Sequence, residues 1–551
     1  MINSRKKKWT LMFFFASDNV LSPSMLTQIK AIKAAGYQQD TNVLLHFDPN
    51  EKGAPTRVFE VNRAESRAGG PSRIGDTGGP LVSVLTGDDV TTKAFQGAKE
   101  DIDAMESKVA LEKFLDTCRE DYRADHYMLF LVGHGMVVGR DSFLPDENPV
   151  SAIGLVDLGR ILNTFKDNAE GKLELIGMHS CSMSGVEISY QLQDTASFML
   201  GSQGVSFVGA WPYRQMLITI YNAIEAERQN PRQPVSVDDL VEQLHDLSIQ
   251  HSADFMVGGY SADLCLSTLK STHVVNLDKP IHNLAEALRN GLKEPQCQEL
   301  ILLAHWKSQS YWQEMYTDLY DFCLCLRQLC LQHDAKRPAQ LPKDRKEVRG
   351  YDATQKKIEE ACDTVMHILK PKRPTDIADG PVVRADFIGA ATQYSHGLSI
   401  YFPWTRPVQD KNEHALENYA DYKFSSGPET KAWLTFLRSY FQETQRDGRI
   451  SEDKNIKGQD ASYQTPEFTQ ALDDAKEAFK VPGTPTGQPQ SFPTALDGGK
   501  VIPPDSGGGG ACACLSIKNY SPEFVMSFNA SKVFGSGGPS ARAAGAAVKQ
   551  P

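Results

Sequence analysis

Two apolar runs, each ending in polar and reactive side chains, decide the fold of this chain. Residues 127–135 read YMLFLVGHG, and residues 173–183 read LELIGMHSCSM. Each run begins as a short apolar segment, which is typical of a strand buried on both faces of a parallel sheet. Helix-length amphipathic segments separate these runs from each other and from further apolar runs. The sequence therefore predicts an α/β fold.

The candidate elements of residues 9–208 alternate between strands and helices. The strands are Trp9–Phe15, Asn42–Phe47, Tyr127–Val132 and Leu173–Met178, and the helices are Met25–Ala35, Thr91–Thr117, Val156–Phe165 and Val186–Leu192. This order predicts a mostly parallel sheet with helices on both faces. Ligands of such sheets bind outside the carboxyl ends of the strands, so the residues that follow each strand are of most interest.

Changes in composition and in apolar periodicity along the sequence predict four regions. A core over residues 1–278 is followed by a helical subdomain over 279–375, which is expected to contain the helices Ile281–Leu292, Ile301–Leu331 and Asp352–Leu369 with no strand between them. Residues 376–445 return to the core with strands at Pro381–Ile388 and Gly397–Phe402 and a helix at Glu429–Thr444. Residues 446–551 are rich in Gly, Pro and Ser, a composition that predicts a flexible, largely disordered tail.

Charge and composition exclude several classes of function. The chain has 58 Lys and Arg against 69 Asp and Glu, a net charge of −11, which argues against coating a nucleic acid. No apolar run approaches the roughly 18–20 residues of a membrane helix. Basic residues 5–8 precede the short apolar run 9–16, and we interpret this start as the lead-in to a buried strand rather than a secretory signal. Ten cysteines in 551 residues are sparse and favour reduced thiols and a cytoplasmic location.

A thiol and an imidazole follow the two deciding strands. Cys181 comes after one strand and before a helix, where the positive end of the helix dipole favours a thiolate. His134 follows the other strand between two glycines, where it can act as a base or as an imidazolium partner. Gly135 beside it permits close approach of a substrate carbonyl and leaves an N–H for an oxyanion. The pair therefore indicates nucleophilic catalysis.

Several short blocks in this order resemble one peptidase family. They are WTLM at 9–12, ASDN at 16–19, His134-Gly135, CSM at 181–183, VEISYQL at 186–192, GAWPY at 209–213, LCLS at 264–267 and GLSIYFP at 397–403. Over residues 9–440 the chain resembles the clostripain-like cysteine peptidases, which share a fold with caspases, legumains and gingipains. The resemblance implies a caspase-like sheet with a helical insertion.

The resemblance also implies the roles of individual residues. Cys181 would be the nucleophile and His134 the catalytic histidine of an endopeptidase that forms an acyl-enzyme with a protein or peptide substrate. The backbone N–H groups of Gly135 and Cys181 would form the oxyanion hole. Asp18 or Asn19, at the end of the first strand, would orient the histidine, although a simple turn explains these two residues equally well.

One departure from the family concerns substrate preference. The residue two before the nucleophile is commonly Asp in the family, where it favours Arg or Lys at the cleaved position, and here it is His179. The acidic residues that often precede the Gly-x-Trp-x-Tyr segment are replaced by Ser202 and Gln203. We therefore expect an altered preference, with His179 lining the pocket and Ser202, Gln203 and Trp211 as further substrate-binding candidates.

Self-processing is a second family trait. Family members are often activated by cleavage between the catalytic histidine and cysteine, and residues 138–149 form a polar, Pro-bearing segment there with Arg140 as candidate cleavage site. An ordinary surface connection explains the segment equally well.

Other interpretations remain open. His134, His179 and Cys181 would be the ligands of a zinc hydrolase, although the sequence has no HExxH run, and a catalytically inactive adaptor would keep the same fold. For Cys323, Cys325, Cys330 and His333 the helical spacing favours core packing over a metal site. We therefore expect no metal or cofactor from the residues themselves, while the resemblance suggests calcium without naming ligands. We expect a regulatory partner to bind the C-terminal tail, and we expect no nucleic-acid or membrane partner.

Overall fold

The strands and helices are known for most of residues 6–446. The computed structural model describes residues 6–19, 21–50, 55–61, 88–96, 102–135, 143–254, 260–311, 314–336, 346–404, 415–446, 495–497 and 500–502. The strands in these ranges are β1 (Lys7–Phe15), β2 (Thr41–Phe47), β3 (Arg57–Glu60), β4 (Asp88–Asp89), β5 (Ala124–Val132), β6 (Phe143–Glu147), β7 (Val150–Ile153), β8 (Lys172–His179), β9 (Phe198–Gly201), β10 (Ala262–Thr268), β11 (Ser310–Tyr311), β12 (Tyr316–Asp318), β13 (Val382–Ile388), β14 (Ser399–Tyr401), β15 (Ala495–Asp497) and β16 (Lys500–Ile502).

Helices connect most of these strands. They are α1 (Ser22–Ala34), α2 (Thr91–Ala94), α3 (Ser107–Asp121), α4 (Leu155–Asn168), α5 (Val186–Gln191), α6 (Tyr213–Gln229), α7 (Val237–Ala253), α8 (Ser271–Val274), α9 (Asp278–Gly291), α10 (Pro295–Lys307), α11 (Leu319–Lys336), α12 (Lys346–Leu369), α13 (Ala415–Ala420), α14 (Lys423–Ser426) and α15 (Lys431–Arg446).

A nine-stranded sheet organises the core. Its order is β13-β10-β9-β8-β5-β1-β2-β3-β4. The five central strands, from β9 to β2, are parallel, whereas the strands at both edges are antiparallel. The predicted α/β fold with a mostly parallel sheet is therefore confirmed. Each of the four strands predicted in residues 9–208 agrees with an observed strand to within three residues at either end.

Both faces of the sheet are covered. Side chains alternate along β1, so Phe14 belongs to one apolar cluster and Phe13 to the other. In β5 the same alternation separates Leu129 from Phe130. Helices α3 and α4 contribute buried residues to the first cluster, and α1, α6 and α7 contribute to the second. This burial on two sides explains why the central strands are continuously apolar.

Two long predicted helices are interrupted. The helix expected over Thr91–Thr117 is wrong, because α2 ends at Ala94 and α3 begins at Ser107. Gly97, Asp101 and Asp103 lie between them, and Gly and Asp are poor helix formers. The helix expected over Ile301–Leu331 is also wrong, because Ser308 ends α10 and the short strands β11 and β12 precede α11.

The region predicted as a helical subdomain nevertheless contains four helices, α9 to α12, that pack together. Helix α12 packs against α9 and α11, and α10 packs against α11. Cys323 and Cys330 are buried in this helical core, as their spacing predicted. The expectation that this region has no strand is wrong, since β12 pairs with both β11 and β14. These three strands join the helical region to the segment that returns to the core.

The region after residue 446 is mostly outside the described residues, so the flexible tail stays a prediction. Of this region only the short antiparallel hairpin β15–β16 is described. In the part of the chain that the structure describes, no helix combines the length and apolar composition that a membrane crossing requires.

A hairpin formed by β6 and β7 lies against the ends of β1 and β2. The main-chain N–H of Glu147 donates to the carbonyl oxygen of Asp18 at 3.0 Å. The carboxyl groups of Asp18 and Asp146 share a hydrogen bond, and Asp48 lies close enough to interact with both. Burial raises the pKa of Asp48 to about 7, and burial also raises the pKa of Asp146 to about 7. Asp48 and Asp146, two of the carboxyl groups where the hairpin docks, therefore favour the protonated form.

This cluster predicts a pH-dependent stability. An unfolded Asp has a pKa of about 3.9, so the folded protein retains protons that the unfolded chain releases between about pH 4 and pH 7. The stabilisation is fully present below about pH 4 and is lost as the pH rises through about 7. Asp146→Asn cannot ionise and keeps an oxygen that can accept the hydrogen bond from the N–H of Asn148.

We expect Asp146→Asn to raise the free energy of unfolding at about pH 8 by as much as about 4 kcal/mol, which corresponds to the difference between a pKa of about 7 and one of about 3.9, and to leave it unchanged below about pH 4. Urea denaturation of the variant and of the wild type at both pH values measures this difference. Asp167→Asn is the matched control, because the Asp167 side chain is 66% exposed. An unchanged pH dependence in Asp146→Asn would contradict the assignment.

Candidate active site

The three strands β1, β5 and β8 end level with one another. Phe15 pairs with Val132, and Val132 pairs with His179. His134 and Cys181 each lie two residues beyond the paired Val132 and His179, so both follow the same edge of the sheet. The sequence prediction that these residues meet at neighbouring strand ends is consistent with this register.

Gly135 lies directly against the main chain of Cys181. A Cβ atom placed on Gly135 would overlap the carbonyl oxygen of Cys181 and would lie 2.8 Å from its main-chain nitrogen. Only glycine permits backbones to approach this closely without a shift. The segment that carries His134 is therefore in contact with the segment that carries Cys181. Both residues are buried, with His134 6% exposed and Cys181 1% exposed.

The thiol of Cys181 contacts the main chain of Ser206. The N–H of Ser206 lies 3.4 Å from Sγ as a donor, and its carbonyl oxygen lies 3.7 Å from Sγ as an acceptor of the S–H. Cys181 itself lies in a turn, and α5 begins only at Val186. The expectation that Cys181 opens a helix is therefore wrong, and the polar contact comes instead from a loop after β9. No motif in the sequence indicated Ser206.

The turn at the nucleophile candidate has an unusual backbone. Ser182 has a φ of 56°, in the left-handed region that non-glycine residues seldom adopt. Its N–H donates to the carbonyl oxygen of Gly204, and those of Met183 and Ser184 donate to that of Ser202. The turn is thus held in place by the loop that follows β9.

The residues expected to orient His134 lie at the end of β1. The side chain of Asn19 donates to the carbonyl oxygens of Ala16 and Pro145 and accepts from the N–H of Leu21. Asn19 therefore shapes the turn before α1, while the side chain of Asp18 belongs to the carboxyl cluster. An orienting role of either residue toward His134 stays a prediction.

His179, the last residue of β8, has a buried side chain. Its ring stacks on Trp211 with centroids 4.7 Å apart and planes 4° apart. One ring nitrogen lies 2.8 Å from the hydroxyl of Tyr213, and the other lies 2.7 Å from the carbonyl oxygen of Phe207. Burial lowers the pKa of His179 to about 4, so the ring is neutral near neutral pH. The residue that replaces the family's aspartate therefore carries no charge.

Ser202 and Gln203 are also buried, at 3% and 0% exposure. The amide group of Gln203 donates to a carboxylate oxygen of Asp318 at 2.9 Å and accepts from the N–H of Gly397 at 2.8 Å. Together with Trp211, these residues lie in the loops that hold Cys181. That they contact the substrate stays a prediction.

The proposed zinc ligands do not form a metal group. Both ring nitrogens of His179 already have protein partners. Among the described residues, the ligand atoms that lie within 4.8 Å of one another belong to His245, Asp246 and Asp386. Arg384 lies 2.9 Å from Asp246 and 3.6 Å from Asp386, so a cation already balances these carboxylates. A zinc hydrolase using His134, His179 and Cys181 is not favoured.

The candidate cleavage segment is partly described. Arg140 lies outside the described residues. From Phe143 onward the segment forms β6 rather than the exposed loop that the sequence predicted, and Phe143 and Leu144 are fully buried. The N–H of Leu144 donates to the carbonyl oxygen of His134 at 3.2 Å, which joins the hairpin to the histidine.

Comparison with known proteins identifies relatives. The chain is 23% identical to clostripain from Hathewaya histolytica over 375 aligned positions, which cover 58% of this chain and 66% of that protein, just under two thirds of its length. An inactive zymogen of a C11 protease from Parabacteroides distasonis is 15% identical, with a TM-score of 0.43. The superposition with it covers 76% of this chain and 98% of that protein. A secreted C11 cysteine protease from Bacteroides thetaiotaomicron, in complex with an irreversible peptide inhibitor, is 13% identical with a TM-score of 0.43, at 99% and 79% coverage.

The family comparison covers most of the chain. The model of the clostripain family, peptidase C11, matches residues 13–440. This range contains the end of β1, the whole of β5 and β8, and the segment that returns to the core at β13 and β14. The chain therefore belongs to the clostripain family of cysteine peptidases.

Proposed function

We propose that this protein is a cysteine endopeptidase in which Cys181 is the nucleophile and His134 is the catalytic histidine. The observation that carries the proposal is the close approach of Gly135 to Cys181 at the level ends of β5 and β8. This approach brings the histidine segment, the cysteine and two candidate oxyanion donors to one place. Membership of the clostripain family supports the same chemistry.

The mechanism follows from these positions. The thiolate of Cys181 attacks the scissile carbonyl carbon, and the N–H groups of Gly135 and Cys181 stabilise the oxyanion. His134 donates a proton to the leaving amine, which departs and leaves an acyl-enzyme. His134 then takes a proton from water, whose oxygen attacks the thioester carbon; the acyl group leaves as a carboxylic acid, and the thiolate of Cys181 and the protonated His134 are restored. The N–H of Ser206 favours the thiolate by donating to sulfur.

Removal of either catalytic group tests this mechanism. We expect Cys181→Ala and His134→Ala each to lower kcat/KM by roughly 10³-fold or more, because each eliminates an essential chemical step. A fluorogenic peptide assay measures the change. Cys118→Ala is the control, since Cys118 is also a buried thiol, lies on α3, and has a pKa that burial raises well above its ordinary value. Retained activity in Cys181→Ala would refute the assignment.

We further propose that the preference at the cleaved position differs from the Arg and Lys of the family. Neutral His179, stacked on Trp211, stands where the family has an acidic side chain, and Gln203 replaces a second acidic residue. A cationic side chain would find no carboxylate at either position to balance its charge.

A fluorogenic peptide library that varies the cleaved position tests this preference. We expect cleavage after uncharged residues at rates equal to or above those after Arg and Lys. Strict cleavage after Arg and Lys that His179→Ala abolishes would contradict an altered pocket.

Self-processing between His134 and Cys181 is the third part of the proposal. Cys181 is 1% exposed, so a substrate must displace the residues that cover it. The hairpin that follows residues 136–142 is hydrogen-bonded to His134 through Leu144, and a cut in this segment would release one end of the hairpin. Cleavage after Arg140 requires a pocket that still accepts a basic residue, so it agrees with the proposed preference only if Arg is cleaved alongside uncharged residues.

Intact mass spectrometry tests self-processing. We expect the wild type to yield two fragments whose masses place the cut within residues 136–142, and Cys181→Ala to remain a single chain. A cut that persists in Arg140→Gln would move the site away from Arg140. One identical, uncut mass for wild type and Cys181→Ala would eliminate self-processing.

Three further expectations stay predictions. Calcium is suggested by the resemblance alone, and the described metal-capable group contains a histidine and is already paired with Arg384, which does not suit a calcium ion. A regulatory partner that binds the C-terminal tail and a cytoplasmic location rest on sequence composition.

A further inference from the structure

We infer that Asp263 and Asp318, with Gln203 between them, are positioning residues that hold the loop 202–206 against Cys181. This inference rests on the proposed function, in which Cys181 is the nucleophile. It concerns residues that neither contact the thiol directly nor stand in any of the sequence motifs as candidate site residues, apart from Gln203.

The loop 202–206 is the immediate support of the nucleophile. Its carbonyl groups at Ser202 and Gly204 accept three N–H groups of the turn 182–184. Its N–H at Ser206 donates to the sulfur of Cys181 at 3.4 Å. A displacement of this loop would therefore move both the turn that carries Cys181 and the donor that faces its sulfur.

Asp263 fixes the start of the loop from the neighbouring strand β10. Its two carboxylate oxygens accept the N–H of Gln203 at 2.6 Å and the N–H of Gly204 at 2.9 Å. Asp263 is 3% exposed, and a Cβ atom on Gly204 would lie 2.9 Å from its carboxylate. A buried carboxylate that accepts two adjacent backbone N–H groups fixes their direction, because each bond depends on geometry and neither can be replaced by water.

Asp318 fixes the same loop through the side chain of Gln203. Its side chain is fully buried at the end of β12, and it accepts from the side chain of Gln203, from the N–H of His396 at 2.6 Å and from the N–H of Asp321 at 2.7 Å. Gln203 is therefore held at both ends of its amide group, since its oxygen accepts from Gly397. Through this amide, the helical region is joined to the loop that contacts Cys181.

The cost of this arrangement argues for a role beyond packing. Burial raises the pKa of Asp263 to about 6, because the ionised carboxyl group is removed from water. Two carboxyl groups and an amide, those of Asp263, Asp318 and Gln203, are buried together here. Apolar side chains of similar size would pack at these positions without the free-energy cost of removing polar groups from water. What the polar groups provide is a single hydrogen-bonded position for the loop.

Gln203→Met tests the inference. Methionine has nearly the same length and volume as glutamine but forms neither hydrogen bond, so the loop loses its link to Asp318 and Gly397. Gln355→Met is the matched control, because Gln355 is a 2% exposed glutamine on α12 whose amide donates to the carbonyl oxygen of Cys330 and to the carboxylate of Glu359, away from Cys181. Each variant is assayed for kcat, for KM, for its melting temperature and for the rate at which iodoacetamide alkylates Cys181.

We expect Gln203→Met to lower kcat about tenfold or more and to slow alkylation of Cys181 near neutral pH, because a displaced loop affects the thiol even when no substrate is bound. Gln355→Met should lower the melting temperature by a similar amount and leave kcat and the alkylation rate within about twofold of the wild type. Equal effects of the two variants on kcat and on alkylation would overturn the inference. If Gln203→Met does not fold, Asp263→Asn replaces it, because the carboxamide has one acceptor for two N–H groups.

Different results would refute the proposed function and the positioning role of Asp263, Asp318 and Gln203. If Cys181→Ala retains activity, the proposed function fails. If Cys181→Ala is inactive while Gln203→Met and Asp263→Asn both fold and keep kcat within about twofold of the wild type, only the positioning inference fails.

Discussion

The contact between the backbones of Gly135 and Cys181 is the constraint on which the site depends. It exists because β5 and β8 are parallel neighbours that end level, with Val132 paired to His179. The two segments can then approach until no Cβ atom fits at Gly135. In a parallel sheet covered on both faces, the edge formed by the carboxyl ends of the strands is where loops from separate βα units meet. Chemistry at this edge thus follows from the register of the sheet.

Burial dominates the electrostatics around this edge. His179 is held neutral between Trp211 and two hydrogen-bond partners, and Asp263 is held among backbone N–H groups. In the carboxyl cluster near the end of β1, burial likewise raises the pKa of Asp48 and of Asp146 to about 7. A low-exposure site of this kind strengthens each hydrogen bond and makes each unpaired polar group costly. The position of the Cys181 turn is therefore set by polar partners as well as by apolar packing.

Sequence patterns predicted the parts of the fold that depend on local signals. Continuous apolar runs located β1, β2, β5 and β8, and the residues directly after two of them gave His134 and Cys181. Patterns failed where the deciding partner is distant along the chain. The N–H of Ser206 contacts the sulfur of Cys181, which is 25 residues earlier in the chain. Asp263 and Asp318 contact Gln203 from 60 and 115 residues away in sequence. The short strands β11 and β12 were missed because two or three residues between helices carry no periodicity.

The central claim is covalent chemistry at Cys181, and an acyl-enzyme trap tests it most directly. The protein is mixed with a peptide ester, quenched in acid during the first turnover, digested and mapped by mass spectrometry. The account predicts that the mass of the acyl group is found on the peptide that contains Cys181, and that His134→Ala slows its appearance. Turnover of the ester with no adduct on Cys181, or with the adduct on another residue, would contradict it.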